Sequence, residues 1–564
     1  MRRFSTRWGG SAPSIHDSVD GRHGKGLHPV DLLHRPAHCR SEILSPVLVI
    51  RMCHVGQTDS MATRYLEIER SYDGALRRPI TADGLSGVAF VRAGATVRLD
   101  AVYFDTPDLR LLRRGVTLRR RSGGHDAGWH LKTPEPDGGR AETRLPADTD
   151  GRDRPPAELT ARAAVHARGG RLGAVAHLRT RREPTMLLDE HGGTLAEIDR
   201  DTVSAELVGP VGATLGRVDW IETEVELVDA GPELLDAVEE RLLADGLRPS
   251  ASATKLGRAL HDRLEELPDG SRTALPTASN APHSVGDCLT AYLRTHVAAL
   301  ESLDAAVRLN EPDAVHQMRV HVRRLRSALA AHRRLLRKGA VDHVDDELRR
   351  LGRILGRARD AEVLGEQLTA DAADLPPDLR PGATCRLLEA VFRDRYQTAW
   401  RAAVQAMSRP RYFALLGVLE DLAAEPPLRV RARHGRKEAR KVLTRQRKRT
   451  GRRLSAALAM PPGQDRDAAL HRARKAAKRA RYAAECTEPL LGKQARRLAK
   501  RAKSIQKALG AHQDGVVGER TIRELSDQVP PGIAFALGVL HTRQRHDEDR
   551  RLSEAAKAGR RLAR

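Results

Sequence analysis

The sequence predicts an α+β chain in two unlike parts: an antiparallel β-tunnel followed by an all-α helical bundle built by duplication. Three observations predict it. Across residues 63–260, short segments alternate polar and apolar residues and are broken by Gly, Pro and Asp, the pattern of antiparallel strands. From 285 to about 556 nearly every stretch is helix-compatible and rich in Ala, Leu and Arg. Within that second part a basic, histidine-bearing segment and a later Leu-Gly-x-x-x-Asp signature each occur twice.

Taken in order, residues 1–60 read as a disordered leader, or as sequence upstream of a true start near Met52 or Met61. They lack the succession of basic start, apolar stretch and small-residue cleavage site that marks a signal peptide. The longest early apolar run, 44–50, is too short to span a bilayer, so a cytoplasmic protein without a membrane segment is expected. Residues 61–265 form the β-part, with strands expected at 65–71, 101–104, 116–121, 128–132, 195–199 and 218–227. Helical patches are expected just beyond Asp201, at 232–244 and at 156–168. Residues 266–284, rich in Pro, Ser, Thr, Ala and Gly, read as a linker, and 285–556 as the helical part.

At 564 residues the chain exceeds what one hydrophobic core serves, and with aromatics at 3% its cores rest on Leu, Ala and Val. The net charge of +24 is unevenly placed: +3 over 1–60, −4 over 61–265 and +25 over 266–564. A field of that size concentrates polyanions without choosing among them. The five cysteines (Cys39, Cys53, Cys288, Cys385 and Cys486) form no C-x-x-C pair and no zinc spacing, and read as reduced thiols.

In the β-part, Glu67 and Glu69 share one strand face, as do Glu222, Glu224 and Glu226, because residues two apart point the same way. Stacked carboxylates cost free energy unless a cation compensates them, and a hard divalent metal is the usual solution. Between these ladders lie cations at the same spacing: Arg119 with Arg121, Arg179 with Arg181, then Lys132, and Arg140 beside Glu142. A barrel lined by both signs is a poor core but a sensible container for a metal-bound triphosphate.

These residues resemble the CYTH family, the triphosphate tunnel metalloenzymes. The match runs through Glu67 and Glu69, Tyr103-Phe104-Asp105-Thr106, Leu118-Arg119-Arg120-Arg121, Trp129-His-Leu-Lys132, Arg140-x-Glu142, Arg179-x-Arg181, Glu197-x-Asp199 and Glu224-x-Glu226. The resemblance implies an eight-stranded tunnel, Mg²⁺ or Mn²⁺, and hydrolysis of inorganic triphosphate, thiamine triphosphate or related compounds, or adenylate cyclisation in some members. It implies catalytic roles for Glu67, Glu69 and Glu142, and phosphate contacts from Arg119, Arg121, Lys132, Arg140, Arg179, Arg181 and Lys255. It implies metal ligation by Glu67, Glu69, Asp199, Glu224 and Glu226. The chain departs from the family at Ser71, where the E-x-E-x-K pattern has lysine. Arg70 cannot replace it, because strand alternation turns it away from Glu67 and Glu69. Lys255 resembles a late family lysine and is expected to supply part of the missing charge.

In the helical part, His316, Arg319, Arg323 and Arg326 fall within about 80° of one another at 100° per residue. His471, Arg474, Lys478 and Arg481 do the same. The two copies lie 155 residues apart, and the Leu355-Gly356 to Asp360 and Leu509-Gly510 to Asp514 signatures 154 apart. Two matched stripes in a duplicated unit read as facing walls of one anion groove. This part resembles the CHAD domain, the conserved histidine α-helical domain. The positions matching its motif are His316, Arg319, Arg323, Arg324, His471, Lys475, Lys478 and Arg479. The resemblance implies a basic surface that binds inorganic polyphosphate, and a place on polyphosphate granules.

Three readings follow: a metal-dependent triphosphatase with a polyphosphate-binding half, a non-catalytic polyphosphate binder because of Ser71, and a nucleic-acid binder. Few aromatics for base stacking and no RRM, KH or zinc-finger signature count against specific nucleic-acid binding.

Overall fold

Alternation in the first part produces strands where it was expected. The structure is a computed structural model describing residues 63–134, 140–147, 154–209, 212–267, 282–546 and 548–563. The strands are β1 (Thr63–Glu67), β2 (Glu69–Asp73), β3 (Phe90–Ala93), β4 (Val97–Asp105), β5 (Thr117–Ser122), β6 (Gly128–Pro134), β7 (Arg140–Pro146), β8 (Gly173–Leu188), β9 (Thr194–Val208), β10 (Thr214–Leu227) and β11 (Arg248–Pro249). They pair antiparallel in the order β1-β7-β6-β5-β4-β8-β9-β10-β2-β11, with β3 on β8. Counting β1 and β2 as one strand interrupted at Ile68, and setting aside short β3 and β11, leaves the eight strands expected. The ladder itself is open. Its β1 side and its β2 side are joined by the covalent chain through Ile68, whose carbonyl accepts from Leu227 N–H at 3.0 Å.

Helices α1 (Ala157–Ala167) and α2 (Pro232–Ala244) cover the outer face. Leu159 and Ala163 of α1 pack on Leu118, Trp129, Leu131 and Leu145, while Leu235 and Val238 of α2 pack on Tyr72, Ile198 and Val225. The helix expected just beyond Asp201 does not form, because β9 runs on to Val208 with its alternation intact. Short α3 (Lys255–Ala259) and α4 (His261–Glu266) follow. Leu256, Ala259 and Leu260 join Ala101, Tyr103, Leu178, Val203 and Trp220 in an apolar cluster of inward-facing residues.

The helical half contains α5 (Val285–Arg308), α6 (Ala314–His332), α7 (Asp342–Ala373), α8 (Pro381–Met407), α9 (Pro410–Ala424), α10 (Arg436–Leu458), α11 (Gln464–Leu491), α12 (Lys493–Ser526), α13 (Pro531–His546) and α14 (Glu548–Ala563). Ser284 opens α5 with a reciprocal capping box to Asp287. The sequence duplication becomes a duplication of helix pairs: α6 with α7 carries the first histidine segment and Gly-Asp signature, and α11 with α12 the second. Each pair contributes to its own core, Met318, Leu325, Leu348 and Leu355 in one, Leu470, Ala477, Ile505 and Leu509 in the other.

Helix α1 also joins the halves. Its Val165 is buried in the helical core with Leu293, Leu300 and Phe413. Beside it, Arg114 meets Glu420 at 2.7 Å, and Arg168 meets Glu301 at 2.5 Å and Glu420 at 2.6 Å. Cys288, Cys385 and Cys486 are free thiols, while Cys39 and Cys53 lie outside the described residues. Among the described residues no helix is long and apolar enough to cross a membrane.

Candidate functional site

Pairing registers decide which side chains face the tunnel. Lys132 stands opposite both Thr117 and Glu142, Arg119 opposite Tyr103 and His130, Glu224 opposite Asp199 and Ser71, and Glu226 opposite Glu197 and Glu69. With alternation along each strand, one face gathers Arg119, Arg121, His130, Lys132, Arg140, Glu142 and Arg144 on β5–β7. The same face gathers Glu69, Ser71, Asp199, Asp201, Glu222, Glu224 and Glu226 on β2, β9 and β10. Glu67 pairs with Arg140 in β1; its side chain lies outside the described residues.

The cationic wall is tightly held. Arg119 donates to Tyr103 Oη at 3.2 Å and Lys132 Nζ lies 3.7 Å from Glu69. Arg140 donates to Gly115 O at 3.1 Å, and Arg121 pairs with Asp126. Burial, with Arg119 and Arg182 close by, pushes the Arg121 guanidinium down to about 9. Glu142 is fully buried, paired to Arg144 and 2.8 Å from His130 Nδ1. Burial pushes the His130 imidazole down to about 4, against the pull of Glu142.

The carboxylate wall contains two cations of its own. Arg182 of β8 forks between Asp201 (2.9 and 2.7 Å) and Glu224 (2.8 Å) and also meets Asp199. Lys255, the first residue of α3, places Nζ 3.0 Å from Asp201 and 2.7 Å from Glu222, and also pairs with Glu224. Burial works against the ammonium, yet Glu224, Asp201 and Glu222 hold it well above its ordinary value. Burial would raise Glu224, but Lys255 and Arg182 hold it well below the usual carboxylate range. Asp199, where burial outweighs Arg182, is pushed up to about 8, and its Oδ1 is buried without a hydrogen-bond partner.

Arg179 and Arg181 do not join this face. They are 59% and 53% exposed on the opposite side of β8, Arg179 near Asp100 and Arg181 on Glu183. The inward arginine is Arg182, which the sequence reading passed over, together with Asp201. Asp201, Glu222 and Glu224 offer carboxylate oxygens all within 4.8 Å of one another, a hard-oxygen set that fits Mg²⁺ or Mn²⁺. Asp199, Glu226 and Glu69 flank that set along β9, β10 and β2.

In the helical half the two copies converge. Arg319 of α6 lies across Gly356 of α7, where a Cβ would come within 3.5 Å of the guanidinium, and pairs with Asp360 at 2.9 Å. Arg474 of α11 lies across Gly510 of α12 in the same way, at 3.4 Å. Lys478 sits between them: burial, then Arg474, Arg323 and Arg319, push its ammonium well below its ordinary value. Burial raises Asp514 despite Arg474 and Lys478. Arg323 donates to Tyr482 Oη at 3.1 Å. His471 donates from Nδ1 to Gln513 at 2.9 Å, with exposed Lys475 nearby. Burial, with Arg359 and Arg323, lowers His316. Arg324 lies on Glu485 (3.7 Å) and over the ring of the same Tyr482, and Arg479 beside Arg449 and Arg453.

Comparison with known proteins fits both halves. A CYTH domain family model matches residues 87–255 and a CHAD domain family model residues 291–523. Uncharacterized protein MT2285 of Mycobacterium tuberculosis is 37% identical over 502 residues, covering 85% of this chain and 93% of the relative. The chain belongs to the CYTH–CHAD proteins. Among solved structures, PptA from Streptomyces chartreusis aligns at 25% identity and TM-score 0.41, covering 49% of this CYTH–CHAD chain and 99% of its own. The CHAD domain from the plant Ricinus communis aligns at 27% and 0.42, covering 52% and 97%. HpAC1 from Hippeastrum, for which a dominant triphosphatase activity is described, aligns at 17% and 0.22, covering 36% and 100%. The CYTH match begins after Glu67, Glu69 and Ser71, so the register of β2 against β10 is what brings Glu69 and Ser71 to the tunnel face.

Proposed function

We propose that the CYTH half binds and hydrolyses inorganic triphosphate or a related triphosphate with Mg²⁺ or Mn²⁺, while the CHAD half holds polyphosphate. The observation that carries the first part is one face with cations on β5–β6 and carboxylates on β9–β10. Arg119, Arg121 and Lys132 would take phosphate oxygens, Arg119 and Arg121 as forks and Lys132 as a point charge. Asp201, Glu222 and Glu224, with Glu226 and Glu69 beside them, would hold the metal, which when bound neutralises phosphate charge and polarises the bond to be broken. The apolar cluster around Trp220 and Leu256 keeps water out of its stretch of the tunnel face, so charges inside act at low dielectric. Glu142, held by His130 and Arg144, fixes the β6–β7 side of the wall. Location in the cytoplasm or on polyphosphate granules belongs to the same proposal.

Phosphate release from tripolyphosphate, ATP and thiamine triphosphate, with and without Mg²⁺ or Mn²⁺, tests it. Metal-dependent release is expected with at least one substrate, and none with any would reject hydrolysis. A second reading, binding without turnover, is favoured by Ser71, which puts a hydroxymethyl opposite Glu224 where the family has lysine. On that reading Ser71→Lys raises turnover far more than binding, because the added charge acts in the transition state.

A further inference from the structure

The carboxylate set best suited to a metal is the set Lys255 touches, and these facts bear on each other. Asp201, Glu222 and Glu224 converge from two strands with oxygens within 4.8 Å, a spacing that concentrates negative charge for a cation to answer. Lys255 Nζ answers it, at 3.0 Å from Asp201 and 2.7 Å from Glu222 and paired with Glu224. The backbone of Lys255 is anchored: Thr254 caps α3 through Gly257 N–H at 2.9 Å, and Leu256 and Ala259 are buried in the apolar cluster. Any displacement of the ammonium therefore falls to the four-carbon stem. Across the ladder, position 71 stands directly opposite Glu224. Side chains paired in that way approach to about 5 Å between Cβ atoms, so a lysine there would reach the same carboxylate. The serine makes no such demand, and the ammonium arrives from the helix instead.

We propose that Lys255 is the resident cation of the Asp201–Glu222–Glu224 site, and that a divalent metal gains these carboxylates only when an incoming polyanion draws the ammonium away. This rests on the reading of the tunnel as a triphosphate site. Ammonium and metal compete for the same oxygens, so metal and phosphate binding are mutually dependent. The phosphate groups recruit Lys255 as a ligand of their own and in doing so vacate the carboxylates. Arg182 remains as the fixed counter-charge on Asp199 and Asp201.

The test measures Mn²⁺ binding to the full-length protein by the loss of the free-ion EPR signal, first without any phosphate. Lys255→Gln is expected to bind Mn²⁺ roughly tenfold or more tighter than wild type, in the range by which groups around a metal site shift affinity. Lys255→Arg, which keeps the charge, should not gain. Ser71→Lys added to Lys255→Gln should return Mn²⁺ affinity toward wild type by restoring a cation on Glu224. Tripolyphosphate should tighten Mn²⁺ binding to wild type much more than to Lys255→Gln. Unchanged or weaker Mn²⁺ binding in a folded Lys255→Gln protein, or an equal gain in Lys255→Arg, overturns the proposal. If Lys255→Gln does not fold, phosphate-free Mn²⁺ binding to Ser71→Lys against wild type decides: the added lysine opposite Glu224 should weaken it, and no change refutes competition. A gain of Mn²⁺ affinity in Lys255→Gln without phosphate release by any form would leave this inference standing and remove hydrolysis. Phosphate release with unaltered Mn²⁺ affinity would do the reverse.

Discussion

Glu420→Gln should destabilise the protein by about 3 kcal/mol, and the structure explains why so much rests on one carboxylate. Glu420 of α9 takes Arg114 at 2.7 Å and Arg168 at 2.6 Å, both from the tunnel half. The side chains of Arg114, Arg168, Glu301 and Glu420 are only 12%, 11%, 20% and 15% exposed. Glutamine keeps the volume and removes the charge, leaving two guanidinium groups to share Glu301, from which Arg114 is 3.8 Å away. Stranding a buried charge costs about 3–5 kcal/mol, and the residual exposure argues for the lower end. At about 2–4 °C per kcal/mol for a large domain, the melting temperature should fall by about 6–12 °C, measured by calorimetry or circular dichroism at neutral pH. Arg162→Gln, which touches Glu311 across 3.6 Å from a more exposed position, should cost under about 1 kcal/mol. The pH dependence has a definite sign. Burial would raise Glu420, but Arg114 and Arg168 hold it below its ordinary value, so its stabilisation is complete above the usual glutamate range and lost as pH falls through the depressed value. The gap between wild type and Glu420→Gln should therefore close in acid. A melting shift below about 2 °C at neutral pH would show that water screens the network and that α1 is held by apolar packing alone.

Arg182→Ala should weaken tripolyphosphate binding or turnover about tenfold or more, the scale of a lost charge-assisted contact, whereas Arg179→Ala should stay within about twofold; a larger effect of Arg179→Ala than of Arg182→Ala would place β8 in the other parity. Gly356→Leu and Gly510→Leu should each displace the arginine lying over them and weaken polyphosphate binding to similar extents in a titration, while Gly356→Ala, with its Cβ 3.5 Å from Arg319, should be tolerated. Polyphosphate affinity should rise as pH falls through the depressed Lys478 value, because binding an anion favours the protonated ammonium and takes up a proton; calorimetry in buffers of different ionisation enthalpy reads that uptake, and Lys478→Arg should abolish it.

Strand placement was legible because alternation and Gly, Pro and Asp breaks are local signals, and 232–244 emerged as the helix Pro232–Ala244. The parity of β8 was legible too, although the Arg-x-Arg spacing obscured it. His177, Arg179, Arg181 and Glu183 form an unbroken polar row, the mark of a solvent face, while Ala176, Leu178 and Thr180 lead inward to Arg182. By contrast, nothing local reveals that Lys255 closes on Asp201 and Glu222, since that depends on where α3 packs. The two Gly-Asp signatures were visible as a repeat, but their purpose was not. A glycine reads as a gap in a helix until Arg319 and Arg474 are seen lying across the space it leaves.

Helix α1 serves two cores, and this bears on how the protein is made. A ribosome delivers the β-part first, so the nascent tunnel must wait for its partner with Val165 and the Arg114–Arg168 pair uncovered. Their acceptors, Glu301 and Glu420, are translated more than a hundred residues later than Arg168. During that interval the half-made chain exposes a sticky, cationic shoulder, and a truncated product would keep it for good. Cutting the gene between the two parts is therefore expected to yield a tunnel that aggregates more readily than the whole, with the wound located at α1.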